Sequence, residues 1–291
     1  MINAWKIGIV GIGAVGTPLK RWFEENGFKR NSNLFLYDTD EKKSYFDDIN
    51  EADIIFIAVP TPRNSNGSCD LSAIKSTFEM INKSASKIVV IKSTITPGTT
   101  EFFQRVFFQW KMLFNPEFLT EKRAWEDFIR PDRQIVGFTE QSIDAAHTVL
   151  SLLPKAPFMS PWGLGTYTPV RITATEAEII KYGGNIHFIR KVNFANMLNL
   201  LCKKLGVDYE SVRCGMAADF RIGDSHLNVE HGGYRGWRGH CFPKDLDALI
   251  FFLQYLGEDE GVKLLESDKD FNTKILAGQG LTVEDVSKHQ L

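Results

Sequence analysis

The chain has 291 residues, 43% of them hydrophobic and 24% charged, with a formal net charge of −2. That profile suits about two globular domains. Near-neutral charge without a basic cluster argues against nucleic acid as the main partner. No apolar run approaches the ~20 residues that a bilayer span requires, so no membrane segment is expected. The four cysteines, Cys69, Cys202, Cys214 and Cys241, contain no Cys-x-x-Cys pair. Reduced thiols in a cytoplasmic protein without a metal site are the expectation. The N-terminus is expected to enter a strand at once, leaving no room for a signal peptide.

The first predicted element is a short β-branched run, Lys6 to Val10, read as a buried strand. It leads into Gly11-Ile12-Gly13-Ala14-Val15-Gly16 and then a helical pattern ending near Gly27. In this context each glycine has a reason. The first permits a tight turn, the second lets backbone approach a pyrophosphate, and the third lets helix pack on strand. The next apolar run, Leu34 to Tyr37, ends on Asp38, where a carboxylate can accept ribose hydroxyls and repel a 2′-phosphate. NAD is therefore favoured over NADP. Further strands are predicted at Asp53–Val59, Lys87–Lys92, Met112–Phe114 and Gln134–Phe138, with helical patterns between most of them. This alternation implies an α/β, Rossmann-type doubly wound, mostly parallel sheet. Ligands lie at the carboxyl ends of such strands, where Thr61, Thr94 and Glu117 fall.

In the second half, Thr175 and Glu178 are spaced as a capping box. They open a pattern that predicts one helix of about thirty residues running to Leu205-Gly206. Lys181 and Asn185 share one face of it. The interior pair Gly183-Gly184 costs on the order of 1 kcal/mol per residue against alanine, so a close approach of ligand or partner helix is expected there. A glycine-rich loop is predicted from Arg221 to Asp245, and it carries Arg221, Arg235, Arg238, His240 and Lys244 around Cys241. Cations and backbone donors favour a thiolate. A dinucleotide site together with such a thiol points to a four-electron oxidation of an alcohol, because an aldehyde offers no hydride until a nucleophile adds to it.

Taken in order, the blocks Gly11–Gly16, Val59-Pro-Thr-Pro62, Ser93–Thr100, Asn115–Glu121, Pro131-Asp-Arg133, the Lys181/Asn185 helix, Arg221-Ile-Gly223 and Cys241-Phe-Pro-Lys-Asp245 resemble the UDP-glucose/GDP-mannose dehydrogenase family. The resemblance covers roughly residues 5 to 275. It implies an NAD-binding domain over 1–170, an all-α dimerisation domain over 171–275, and a tail over 276–291 too short for the family's usual third domain. It further implies that Cys241 captures the C6 aldehyde of a nucleotide sugar, UDP-glucose being commonest in the family. Lys181 and Asn185 would stabilise the oxyanion, Thr94 and Asp245 would hold a water, and Glu117 would orient or deprotonate it. Gly11, Gly13, Ala14, Val15, Gly16, Asp38, Lys43, Thr61, Thr94, Glu121 and Lys244 would touch NAD. Glu117, Phe118, Leu119, Lys181, Asn185, Arg221 and Arg238 would touch the sugar nucleotide, and Arg221 would reach it across a homodimer built on the long helix.

The sequence departs from the family's pattern in two further places. The segment between Asp38 and Asp53 is short, and Arg238 stands where the family has glycine. Two other readings share these features: a catalytically impaired NAD-binding homologue, and a two-electron β-hydroxyacid-type dehydrogenase. The second has no use for Cys241.

Overall fold

The computed structural model describes residues 4–161, 171–230, 232–239 and 241–287. The chain divides into two compact units, Met1–Pro62 with Asp70–Lys181, and Arg63–Cys69 with Tyr182–Leu291.

The first unit is an α/β sheet structure. Its elements are β1 (Ile7–Val10), α1 (Gly16–Glu25), β2 (Leu34–Tyr37), β3 (Ile54–Ile57), α2 (Ser72–Met80), β4 (Ile88–Ile91), α3 (Thr99–Val106) and β5 (Lys111–Phe114). They are followed by α4 (Ala124–Ile129), β6 (Arg133–Ile135), β7 (Gly137–Phe138), α5 (Ile143–Leu152) and β8 (Phe158–Ser160). The main sheet has the order β2-β1-β3-β4-β5-β7. Its first five strands pair in parallel, and β7 closes the edge antiparallel to β5.

Strands buried on both faces need apolar residues at every position, and that is how these read. Ile7, Ile9, Leu34, Leu36, Ile54 and Phe56 pack with α1, α4 and α5 on one face. Val10, Phe35, Ile55, Ile57, Val89 and Ile91 pack with α2 and α3 on the other. The predicted single strand Gln134–Phe138 is instead two short ones. Its front half, β6, leaves the main sheet to pair with β8, and only Gly137 and Phe138 return to β5. An apolar run does not register a change of partner, which is why the break was not legible.

The long helix α6 runs Ala174–Leu205, 32 residues, and the division between the units falls within it, after Lys181. Ala174 and Ala177 in its first turn join the first unit's core. Gly137 makes room for them, since a Cβ there would lie 2.7 Å from the Ala177 Cβ. The capping box is corrected by two residues. Thr173 and Glu176 form it, with Thr173 donating both its amide, at 2.7 Å, and its hydroxyl, at 2.8 Å, to Glu176 Oε2. Glu178 is released for another task.

The second unit holds the rest of α6 with α7 (Tyr209–Ala217), α8 (Cys241–Leu256), α9 (Asp259–Ala277) and α10 (Val283–Ser287). Its core gathers Ile186, Ile189, Trp237, Leu246, Ile250 and Leu265. Trp237 is fixed at both ends, its amide donating to Asn272 Oδ1 at 2.8 Å and its indole N–H to Asn193 Oδ1 at 3.1 Å. Along α6, Phe194, Met197, Leu200, Leu201 and Leu205 stay exposed. Gly183 is exposed and a Cβ there would meet nothing within 4 Å, so the described chain does not supply the close approach expected beside it.

Candidate active site

The glycine turn after β1 is built as the sequence requires. Gly11 has φ +89°, open to glycine and costly for other residues. A Cβ on Gly16 would fall 1.9 Å from the Gly11 carbonyl oxygen, so only glycine allows α1 to start there. A Cβ on Gly13 would meet nothing within 4 Å, leaving its backbone open to a ligand. Val15, at the N-cap of α1, offers no side-chain cap, and the first turn contains no acidic residue. Unpaired amides and the positive end of a helix dipole suit a pyrophosphate. The Ile12 amide donates to Asp38 Oδ2 at 2.6 Å, which clamps the turn to the end of β2. Lys43 Nζ lies 2.9 Å from the same oxygen. Burial alone would push the Asp38 carboxyl up, but the Asp40 amide, Lys43 and the Ile12 amide outweigh it and hold it below the usual carboxylate range. These residues fit the pyrophosphate and ribose of a dinucleotide.

At the carboxyl ends of β3, β4 and β5 the polar residues are cross-braced. The Thr61 hydroxyl donates to the Thr94 carbonyl at 2.8 Å, and Ser93 Oγ to the Val59 carbonyl at 2.6 Å. Lys181, from the second turn of α6, places Nζ 2.7 Å from Glu117 Oε1 and 2.9 Å from the Glu117 carbonyl oxygen. The other carboxylate oxygen accepts the Leu119 amide at 2.8 Å. Burial, the largest influence, raises the Glu117 carboxyl; Lys181, the Leu119 amide and Lys92 together carry it below its ordinary value. Glu117 is therefore ionised at neutral pH and can accept a proton. Phe118 lies under the Arg133 guanidinium at 3.8 Å, with Lys181 Nζ 5.8 Å from its ring. Glu121 opens a short 3-10 turn (Glu121–Arg123); its side chain lies outside the described structure.

In the second unit Cys241 is exposed and is the first residue of α8, whereas the sequence predicted a loop running to Asp245. The physical reason is that Pro243 suits a first helical turn, where its missing N–H costs nothing. A thiol at a helix N-terminus meets the positive end of the dipole, which favours the thiolate. One turn on, Asp245 is fully buried and accepts from Asn185 Nδ2 and from Lys244 Nζ, both at 2.5 Å. Burial would lower the Lys244 ammonium, but Asp245, Cys69 and Cys241 raise it above its ordinary value.

Cys69 reaches this neighbourhood on the segment Arg63–Cys69, which groups with the second unit through Arg63 Nε, 2.8 Å from Asp247 Oδ2. Arg221 is exposed and engaged by Asp219, its NH2 2.6 Å from Oδ2. Arg238 lies over the Tyr234 ring at 5.3 Å. His240 lies outside the described residues.

The sequence does not show the roles of three residues. Lys92 is buried and donates to Asn115 Oδ1 at 2.6 Å. Asn115 in turn donates to the Ile135 carbonyl at 2.6 Å. Glu178 accepts the Gly98 amide at 2.6 Å and so caps α3 instead of its own helix. The signal for Lys92 was present: a lysine that closes an all-apolar central strand must find a buried partner.

A parallel sheet with an open glycine turn at its first helix, followed by a helical unit on a long helix, defines a Rossmann-type dinucleotide-binding protein. Sequence comparison narrows the class. The profile of the UDP-glucose/GDP-mannose dehydrogenase family, NAD binding domain, matches residues 37–151, and that of the family's central domain matches residues 175–274. The chain belongs to the UDP-glucose/GDP-mannose dehydrogenase family through these two domains.

It is 37% identical over 225 residues to a UDP-glucose 6-dehydrogenase of Pseudomonas aeruginosa, an overlap of 73% of this chain and 47% of that protein. With a UDP-glucose 6-dehydrogenase of Haloferax volcanii it is 34% identical over 242 residues, covering 78% and 54%. The chain thus spans about half the length of the curated relatives it matches. A UDP-glucose dehydrogenase structure from Pyrobaculum islandicum superposes with a TM-score of 0.77 at 26% identity, covering 94% of this chain and 71% of that one.

Proposed function

We propose that the protein carries out the NAD-dependent four-electron oxidation of a nucleotide sugar at C6, alcohol to uronate, with UDP-glucose as the substrate to try first. The observation that carries this reading is an exposed thiol opening α8 one turn before the buried, doubly held Asp245. The relatives' names supply the substrate class. NAD, held by Gly11, Gly13, Ala14, Val15, Gly16, Asp38 and Lys43, with Thr61, Thr94, Glu121 and Lys244 as further contacts, would accept a hydride in each of two oxidations.

The remaining chemistry falls to side chains. After the first oxidation, the Cys241 thiolate adds to the C6 aldehyde. A carbon–sulfur bond forms and the carbonyl π pair becomes an alkoxide, stabilised by the Lys181 ammonium and the Asn185 amide. Loss of the second hydride from this thiohemiacetal leaves a thioester. Water held by Thr94 and Asp245 then adds to the thioester carbonyl while Glu117 takes its proton. The carbon–sulfur bond breaks, the acid leaves, and the thiolate is restored. Phe118, Leu119, Arg221 and Arg238 are assigned to the sugar nucleotide.

The exposed apolar side chains Phe194, Met197, Leu200 and Leu201 of α6 support a homodimer formed on that helix.

The test is NADH yield per sugar with UDP-glucose and NAD. Two NADH per sugar is expected; one would replace this reading with a two-electron dehydrogenase. Cys241→Ser is expected to abolish acid formation while leaving NAD binding intact, and full turnover in that variant would remove the thiol from the mechanism. Clear NAD binding without turnover on any of a panel of UDP-, GDP- and acetamido-sugars would leave a nucleotide-binding protein.

A further inference from the structure

A lysine that is 4% exposed inside a sheet unit needs a reason to be there. Lys92 follows directly on β4, whose residues Ile88–Ile91 are apolar throughout, and its backbone continues the strand by donating to the Ile57 carbonyl at 2.8 Å. Its ammonium is spent on one neighbour, Asn115, at 2.6 Å from Oδ1 and 3.3 Å from the carbonyl oxygen. Asn115 lies in turn just beyond β5, fully buried, with its amide nitrogen committed to Gln134 Oε1 at 3.0 Å and to the Ile135 carbonyl. Two residues after Lys92 comes Thr94, and two residues after Asn115 comes Glu117. The contact therefore ties the strand end that presents Thr94 to the strand end that presents Glu117.

We propose that Lys92 is a positioning residue for Glu117: a second buried cation behind Lys181 that locks the two strand ends through Asn115 and sets the charge balance of the Glu117–Lys181 pair. The charged groups acting on Lys92 are Glu117 and Lys181, and its hydrogen-bond partner is the neutral Asn115. Burial, the largest influence, pushes the Lys92 ammonium down to about 8, with the Glu117 charge opposing and the Lys181 charge adding to the fall. Below that pH two cations face one carboxylate. Above it Lys92 is neutral, and Glu117 keeps Lys181 alone. Losing a nearby opposite charge raises a carboxyl, so Glu117 becomes easier to protonate. Hydrolysis of a thioester by a water that Glu117 deprotonates then strengthens on the alkaline side, at a pH set by Lys92.

Only the kinetic arm of the test rests on the oxidation proposed above. In that arm kcat of the wild type rises above about pH 8. In Lys92→Met the profile is flat through that region, and kcat at neutral pH is about tenfold down, as expected when the buried charged hydrogen bond to Asn115 is lost. A role confined to folding would lower kcat without removing the alkaline limb, and that outcome overturns the proposal. The second arm needs no turnover. The 13C resonance of the Glu117 carboxyl, assigned with Glu117→Gln, is followed against pH. In the wild type it shows a second inflection near pH 8 as Lys92 loses its proton. In Lys92→Met that inflection is gone and the main midpoint moves up by about one unit. A wild-type resonance with no inflection there overturns the proposal whether or not the variant folds. If the wild type turns over no sugar but the inflection is present, the oxidation fails and the role of Lys92 stands.

Discussion

Glu178 lies 2.6 Å from the Thr100 hydroxyl and 2.9 Å from the Thr100 amide, so an acid of the long helix closes the start of α3. Burial drives its carboxyl up from 4.5 to about 7, against the hydrogen bonds from Thr100 and Gly98. The folded protein therefore binds a proton that the unfolded chain releases across this window. The contribution of Glu178 to stability is complete below 4.5 and is lost as the pH climbs through about 7. Urea unfolding of the wild type and of Glu178→Gln should differ by an amount that changes by a few kcal/mol between these limits. A difference independent of pH would refute the assignment.

Gly16 and Gly13 are expected to respond oppositely to a single methyl group. The Gly16→Ala Cβ would sit 1.9 Å from the Gly11 oxygen, both of them backbone-fixed, and a loss above about 4 kcal/mol or failure to fold should follow. Gly13→Ala meets open space, so its melting temperature should barely move while NAD affinity falls. Calorimetry on the two proteins, with and without NAD, reads both effects. Unchanged NAD affinity in Gly13→Ala would remove that turn from the cofactor site.

Asp38→Asn removes the charge that faces Lys43 and the Ile12 amide. A hydrogen bond to a charged group contributes about 1.5–3 kcal/mol, so NAD should bind roughly ten- to a hundredfold more weakly. The preference for NAD over NADP should narrow, since the repulsion of a 2′-phosphate is gone. Titration calorimetry with both nucleotides decides this, and an unaltered ratio would count against Asp38 as the selecting group.

Met197 and Leu201 stand one turn apart on α6, 45% and 53% exposed. Replacing both with glutamate should convert a dimer into a monomer, because burying two unpaired carboxylates at an interface costs more than the contact supplies. Light scattering after size exclusion measures the mass directly. A wild-type protein that is already monomeric at micromolar concentration would end the dimer proposal.

Much of this molecule was legible before any coordinates, and the parts that were not share a cause. Runs such as Ile54–Ile57 read correctly because a strand buried on both faces must be apolar throughout. The backbone of the glycine turn reads correctly because Gly11 needs a positive φ and Gly16 a close approach to the Gly11 carbonyl, both local demands. What failed was pairing at long range. Thr175 and Glu178 have the spacing of a capping box, yet Thr173 and Glu176 make it, because Glu178 is captured by Thr100 across the fold. Gln134–Phe138 changes sheets for the same kind of reason: its first half finds β8, a partner twenty-odd positions away that no periodicity announces. At the candidate site, Glu117 and Lys181 were named separately, but nothing in either neighbourhood predicts their 2.7 Å contact. Asn115 reads in the sequence as one member of a motif, although it is the hub on which Lys92 is hung.

The first unit ends inside α6, and this has a consequence for how the protein is made. Until the ribosome has released the opening turns of that helix, the nascent sheet would have Glu117 without its counter-ion and α3 without its closing acid. The sheet's maturation is therefore timed by the emergence of a segment that belongs, over most of its length, to its neighbour. Any attempt to express the nucleotide-binding half alone should keep the chain at least through Lys181.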